Sequence, residues 1–393
     1  MQRWLNRLVY ALSTVAALLW LLPLFASHSV LFPAGPGFED IIVYQGRFTV
    51  YHTLKFFTSR AFSGFAYPPG AAPIYEVFYA TSDAVQAYLL LAGATTLTAL
   101  AAAYLFLRRN GSAKLFPLLL FFCFPLIFLI QRANIEIVLW VIIVLGVLAY
   151  RRGAAILAAV LFGIAASIKL YPILLLGLFL KPASRRTRQD LPAFAIGLVT
   201  TVVALIAATA YTGPTFLLAA HGFTTGVDRF QDHYVDTVSK VEVAFDHSLF
   251  SPLKYLAYSN HASPAPWTQT YYLIAGTFAL LLFVRVRTLP FLNRVVFLLA
   301  AMVSLPPVSF TYTLVHLYLP LLLLLCALAA SRKPPPATAV IVCALLLFLM
   351  LPLVSLYVFQ PLPTGPIQSF VLLAILILSA LTAWPDAPGS KAL

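Results

Sequence analysis

The chain has 393 residues, 62% of them hydrophobic and only 9% charged, with 25 Lys and Arg against 12 Asp and Glu. A soluble protein carries about 25% charged residues. That excludes an ordinary soluble enzyme, and a mean hydropathy of +0.93 selects an all-α polytopic membrane protein. A transmembrane β-barrel would instead show short alternating segments, and none is visible in the sequence.

The first apolar run, 8–25, follows Arg3 and Arg7. It is long and lacks a small-x-small cleavage site, so it reads as an uncleaved helix with a cytoplasmic N-terminus, not a signal peptide. A long outer loop, 27–83, comes next, in which Thr49–Ser59 and Ala71–Tyr79 place Tyr, Phe and Leu at the spacing of interfacial helices. Further apolar runs of a length near the ~20 residues needed to cross ~30 Å of hydrocarbon are predicted at 84–107, 114–130, 135–150, 153–168, 171–180 and 191–211. After a second long loop, 212–266, they continue at 267–284, 294–310, 313–330, 337–357 and 367–384. With the first run these make twelve segments in a single membrane-embedded domain, of which 171–180 is short enough to be half of a broken helix.

The charges agree with this arrangement. The loops assigned to the cytoplasm hold 17 of the 25 basic residues, as the positive-inside rule requires, so the net charge of +13 reports topology and not nucleic-acid binding. Ten of the twelve acidic residues fall in outer loops. Acidic residues contribute little to orientation, so this bias marks the outer face as the working surface. Cys123, Cys326 and Cys343 lie in apolar segments and are expected as free thiols. No zinc-type Cys/His spacing, Walker A or GxGxxG element is present, so neither a metal, a cofactor nor nucleotide hydrolysis is expected.

Polar groups at membrane edges are costly and mark functional sites by default. Four constellations stand out. In "EDIIVYQG", Asp40 follows the first helix at the outer face; it is either a solvated helix cap or a general base, with Glu39 a solvated neighbour. With it belongs "YPP", in which each Pro fixes its own backbone and points Tyr67 in a defined direction. In "QRANIEI", Arg132 and Glu136 stand four apart around Asn134, as an ion pair or as an arginine for phosphate. In "SIKLYP", Lys169 is the only charge between Arg152 and Lys181; it either snorkels or faces an anionic headgroup. In "SFTYTLVH", His316 follows Tyr312 and either bonds a neighbouring helix or serves the site. "FDHSLF" adds Asp246, His247 and Ser248, without the nucleophile elbow of a serine hydrolase.

Taken in order, Asp40 with Tyr44, "YPP", "RANIE" and "IKLYP" resemble the membrane-embedded glycosyltransferases of the GT-C class. More narrowly, they resemble bacterial glycosyltransferase family 87, whose members are similar to polyprenyl-phosphate-mannose-dependent mannosyltransferases. The resemblance runs from about residue 38 to 320. It implies a GT-C-like bundle in a bacterial inner membrane, both termini cytoplasmic and the active site facing outward. It further implies Asp40 as catalytic base, and Lys169, Arg132 and His316 on the donor phosphate. Tyr44, Tyr67, Asn134, Glu136, Tyr312 and His247 would be substrate-binding. Ala133 stands where the family's motif has glycine.

The implied reaction moves a sugar, mannose first, from a polyprenyl-phosphate donor to a hydroxyl of a glycolipid or glycan, with inversion and without a metal. Such a donor is itself a membrane lipid, so no nucleotide is needed outside. The competing class is a transporter or lipid flippase. Transporters usually show two related halves and midplane charge, whereas here the two long loops differ and the charge gathers at outer ends.

Overall fold

The computed structural model describes residues 2–25, 38–48, 52–53, 65, 67–331, 334–352 and 363–384. Among these residues the regular elements are helical, and extended backbone pairs only in an isolated antiparallel bridge between Asp246 and Phe310. The interfacial helix expected over Thr49–Ser59 lies outside the described residues, except at His52 and Thr53.

The α-helices, in chain order, are α1 (Gln2–Phe25), α2 (Glu39–Phe48), α3 (Ala72–Tyr79), α4 (Ala84–Arg109), α5 (Phe116–Phe121), α6 (Phe124–Arg132), α7 (Glu136–Arg151), α8 (Ala155–Ile168) and α9 (Asp190–Thr212). They continue with α10 (Phe216–Phe230), α11 (Lys240–Phe245), α12 (Ser251–Ser259), α13 (Ala265–Val286), α14 (Phe291–Ser304), α15 (Tyr318–Ala330), α16 (Ala337–Leu349) and α17 (Thr364–Leu381). A stretch of 3₁₀-helix at Tyr171–Phe179 begins on Tyr171, and a second, at Thr311–Leu317, carries Tyr312 and His316. α3 matches the helix read from Ala71–Tyr79.

This is an all-α polytopic membrane protein, but the twelve predicted runs do not become twelve long helices. Five described segments are long and apolar enough to cross alone: Ala84–Arg109, Asp190–Thr212, Ala265–Val286, Thr311–Ala330 and Thr364–Leu381. The run at 114–130 is a pair of helices, Ala113–Phe121 and Phe124–Arg132, bent by 46°. Pro117 and Pro125 stand in the first turns of α5 and α6, where a missing N–H costs nothing. α14 is 14 residues long and buried throughout. A helix of that length suits a protein core better than a lipid-exposed span, whereas α4, α9 and α13, with few buried residues, turn most of their apolar surface outward, as lipid-facing helices do.

The segment 153–180 is a hairpin. Lys169 meets Glu136 at the start of α7, and the Leu178 carbonyl accepts from Tyr150 at the end of α7, at 2.9 Å. The chain therefore climbs the length of α7, ~24 Å for 16 residues, as α-helix, breaks at Lys169, and descends as 3₁₀-helix. Small residues let these elements close up: a Cβ on Gly163 would lie 2.6 Å from the Gly197 carbonyl oxygen, joining α8 to α9. Gly70, after "YPP", sits so near the end of α8 that a Cβ there would lie 2.6 Å from both the carbonyl and the hydroxyl oxygen of Ser167.

Candidate active site

Two features bring the first outer loop to the membrane helices. The Phe38 N–H donates to the Gln131 carbonyl at 2.6 Å, and the Tyr79 hydroxyl of α3 donates to the Ile41 carbonyl. α2 is thereby held against the end of α6 with Glu39 and Asp40 in its first turn. The acidic side chains face Arg132. Arg132 donates to Glu39 and, through Nη2, to Asp40 Oδ1 at 2.6 Å. Glu39 is thus an ion-pair partner, not the solvated neighbour read from the sequence.

The other oxygen of Asp40 accepts from Asn134 Nδ2 at 2.7 Å. The same amide nitrogen donates to the Tyr67 hydroxyl at 3.1 Å, and Asn134 Oδ1 accepts from the Glu136 backbone N–H at 3.0 Å. Both amide donors are committed, and Asn134 is fully buried, so this side chain fixes the spacing between the loop and α7. Burial pushes the Tyr67 phenol well above its usual range, which keeps its proton in place as a donor.

Arg132 and Glu136 do not pair with each other. Ala133, with φ 53° and ψ 44°, ends α6 in the left-handed region, so the two residues no longer share a helix. The Tyr88 hydroxyl of α4 takes up the carbonyls of Leu129 and Asn134, at 3.1 and 3.2 Å. A left-handed conformation costs an L-residue with a Cβ roughly 1–2 kcal/mol, a strain that glycine at this position would not carry. Ala133→Gly is expected to raise stability by up to ~1 kcal/mol, once the unfolded-state entropy of glycine is counted. Thermal unfolding in detergent measures it.

Glu136, fully buried, is the hub of the second half. Its Oε1 accepts from Lys169 Nζ at 2.5 Å and from the Tyr171 hydroxyl, and its Oε2 lies 2.8 Å from His316 Nε2. His316 stays buried, with Nδ1 facing no protein partner. Lys169 does not snorkel. Its ammonium stands 5.1 Å from the ring centre of Tyr67, 5.4 Å from that of Tyr312 and 5.9 Å from that of Tyr171, an arrangement that favours a cation over each aromatic face. Tyr44 packs edge-on against Tyr67 at 5.9 Å and supports it from α2. Asp40, Tyr44, Tyr67, Arg132, Asn134, Glu136, Lys169, Tyr312 and His316 therefore form one constellation. Tyr171 belongs to it as well; the "KLYP" spacing contained it, but nothing in the sequence marked it out from the other aromatics.

His247 lies apart. Its Nε2 is 3.2 Å from the hydroxyls of both Ser309 and Thr313, and burial pushes the imidazole down to about 4, so it is neutral at pH 7. Beside it, Asp246 Oδ1 accepts from the N–H groups of Ser248 and Ser309, both at 2.9 Å, and Oδ2 from Lys254 Nζ at 3.0 Å. This cluster clamps the second outer loop to the segment that carries Tyr312 and His316. Breaking a buried ion pair from one side costs about 3–5 kcal/mol. Lys254→Met should therefore lower the unfolding free energy by about that much, and Asp246→Asn with Lys254→Met should recover most of it, read by thermal unfolding.

Residues 65–305 match the sequence profile of glycosyltransferase family 87. The chain belongs to that family. It is accordingly a glycosyltransferase, with a sugar donor and an acceptor. No curated protein matches the chain. The matched region contains Tyr67, Arg132, Asn134, Glu136, Lys169 and His247, while Asp40, Tyr44, Tyr312 and His316 stand outside it and are tied to it by the contacts above.

Proposed function

We propose that this family 87 enzyme transfers a sugar, mannose in the first place, from a polyprenyl-phosphate donor to a hydroxyl of a glycolipid or glycan at the outer face of the membrane. The observation that carries this reading is the continuous polar network from Asp40 through Asn134 and Tyr67 to Lys169, Glu136 and His316. It lies at the end of α7 opposite the arginine-bearing end. A donor whose phosphate rides at the membrane surface reaches such a site without leaving the bilayer.

In this reading Asp40 takes the proton of the acceptor hydroxyl as its oxygen bonds to the anomeric carbon. The bond from that carbon to the phosphate oxygen breaks on the opposite face, and the lipid phosphate leaves with the electron pair, so the configuration inverts. Lys169 and Arg132 receive the growing charge, joined by His316 when its Nδ1, which faces no protein partner, carries a proton. Glu136 holds Lys169 and His316 in place, and Tyr44, Tyr67, Asn134 and Tyr312 shape the sugar pocket. His247 supports the segment bearing Tyr312 and His316.

The test supplies purified enzyme in lipid with labelled polyprenyl-phosphate mannose or GDP-mannose and a total lipid extract as acceptor. Labelled product from the lipid donor alone supports the reading. Product from the nucleotide sugar alone overturns the donor class.

A further inference from the structure

On the flank of the bundle, α4, α5, α6, α7 and α15 enclose a groove of about 780 Å³. Its walls are apolar, with Leu126, Ile130, Val144, Leu148 and Leu322 among them, and the exposed Leu105 and Leu120 form its rim. Trp140 lines it one helical turn below Glu136, and Arg109, Arg151, Arg152 and Asn110 line its far end. From Trp140 to Arg151 the groove follows eleven residues of α7, ~16 Å.

We propose that this groove is a binding site for an anionic glycerophospholipid of the leaflet on the arginine side. One acyl chain would lie along α7, with the phosphate between Arg109, Arg151 and Arg152. Charge complementarity carries the assignment. Two helices, α4 and α7, end side by side, and each delivers arginine to the mouth of one apolar cleft. The Arg151 guanidinium also lies 5.6 Å over the Phe106 ring, which gives it a preferred position at that mouth. Basic pockets between membrane helices on the cytoplasmic side are recurrent anionic headgroup sites. A zwitterionic lipid would bring a second cation among three arginines, and a lipid whose phosphate reached Lys169 would place its charge at the opposite end of α7 from them.

The test uses the full chain in phosphatidylcholine vesicles containing a rising fraction of phosphatidylglycerol brominated on its acyl chain. Bromine quenches indole at short range, and subtracting the signal of Trp140→Phe isolates Trp140. The expected result is saturable quenching at a few mole per cent of brominated phosphatidylglycerol and none of that component with brominated phosphatidylcholine. Each arginine near the membrane surface contributes ~1 kcal/mol toward an anionic lipid. Arg151→Gln with Arg152→Gln should therefore weaken binding roughly 30-fold, so that quenching no longer saturates within the accessible range of phosphatidylglycerol fractions. Equal quenching by both lipids, an unchanged curve in the double variant, or competitive relief of quenching by polyprenyl phosphate overturns the proposal. If the double variant does not fold, the comparison of the two brominated lipids on the native chain decides alone.

Discussion

Asp40→Asn is expected to lower the turnover of sugar transfer by about 10²–10⁴-fold, the usual worth of a positioned base, with little change in KM for the donor. The substitution keeps the side-chain shape, and one oxygen still accepts from Arg132. The new amide cannot accept on its other atom, so Asn134 Nδ2 loses its bond to position 40 and keeps only the one to Tyr67. A lost hydrogen bond of this kind costs about 1–2 kcal/mol, and thermal unfolding should register a shift of that size and no more. Full transfer by a folded Asp40→Asn enzyme would move the base elsewhere. A collapse in stability well beyond the hydrogen-bond cost would show that the carboxylate serves mainly to anchor Arg132.

Glu136→Gln is expected to act on stability and turnover together. Glu136 is completely buried, Lys169 is 11% exposed, and the pair meets at 2.5 Å. Neutralising one side leaves a nearly buried ammonium without its counter-charge, at a cost of about 3 kcal/mol, the low end for such breaks because of the remaining exposure. The amide keeps one oxygen, which stays with its two donors Lys169 and Tyr171, so an NH2 group replaces the acceptor that faces His316. Exchanging both partners for apolar residues, Glu136→Leu with Lys169→Met, removes the unpaired charge and should restore most of the stability. Transfer should stay lost in that double variant if Lys169 receives the donor phosphate. Recovery of transfer along with stability would assign the pair a structural role only. Detergent unfolding and a donor-saturation series, run on the same preparations, separate the two outcomes.

Much of this site could be read from the chain because membrane burial makes each polar residue conspicuous. Asp40, Tyr67, Arg132, Asn134, Glu136, Lys169, Tyr312 and His316 stood out against apolar surroundings, and the fold brings them together. Their pairing could not be read. Spacing of four offered an Arg132–Glu136 ion pair as one of two readings, yet one left-handed residue, Ala133, separates their helices and sends each charge to a partner distant in sequence. Periodicity assumes a continuous helix, and a single backbone conformation between two helices escapes it. The same limit applies to the spans. Hydropathy located the apolar runs, but whether a run becomes a lipid-facing helix, a bent pair such as Ala113–Arg132, or a buried 14-residue helix such as α14 depends on neighbours that the run itself does not encode. Asp246 and Lys254 were hidden for a related reason: they lie eight residues apart across a helix start, and only the folded loop shows them as a pair.

The close approach of Gly70 to Ser167 has a bearing on how this enzyme can adapt to different sugars. Tyr67 is three residues from that contact, and Lys169 two residues beyond it on the other side. The room between them is therefore calibrated by the bare backbone of one glycine, with no side chain available to cushion a change. Errors of ~1 Å in placing reacting groups can cost about 100-fold in rate. Variation that suits a new donor or acceptor is then best tolerated where aromatic side chains such as Tyr44 and Tyr312 can turn or be exchanged. The "YPPG" seam between the outer loop and the hairpin works instead as a fixed ruler, against which every such exchange is measured.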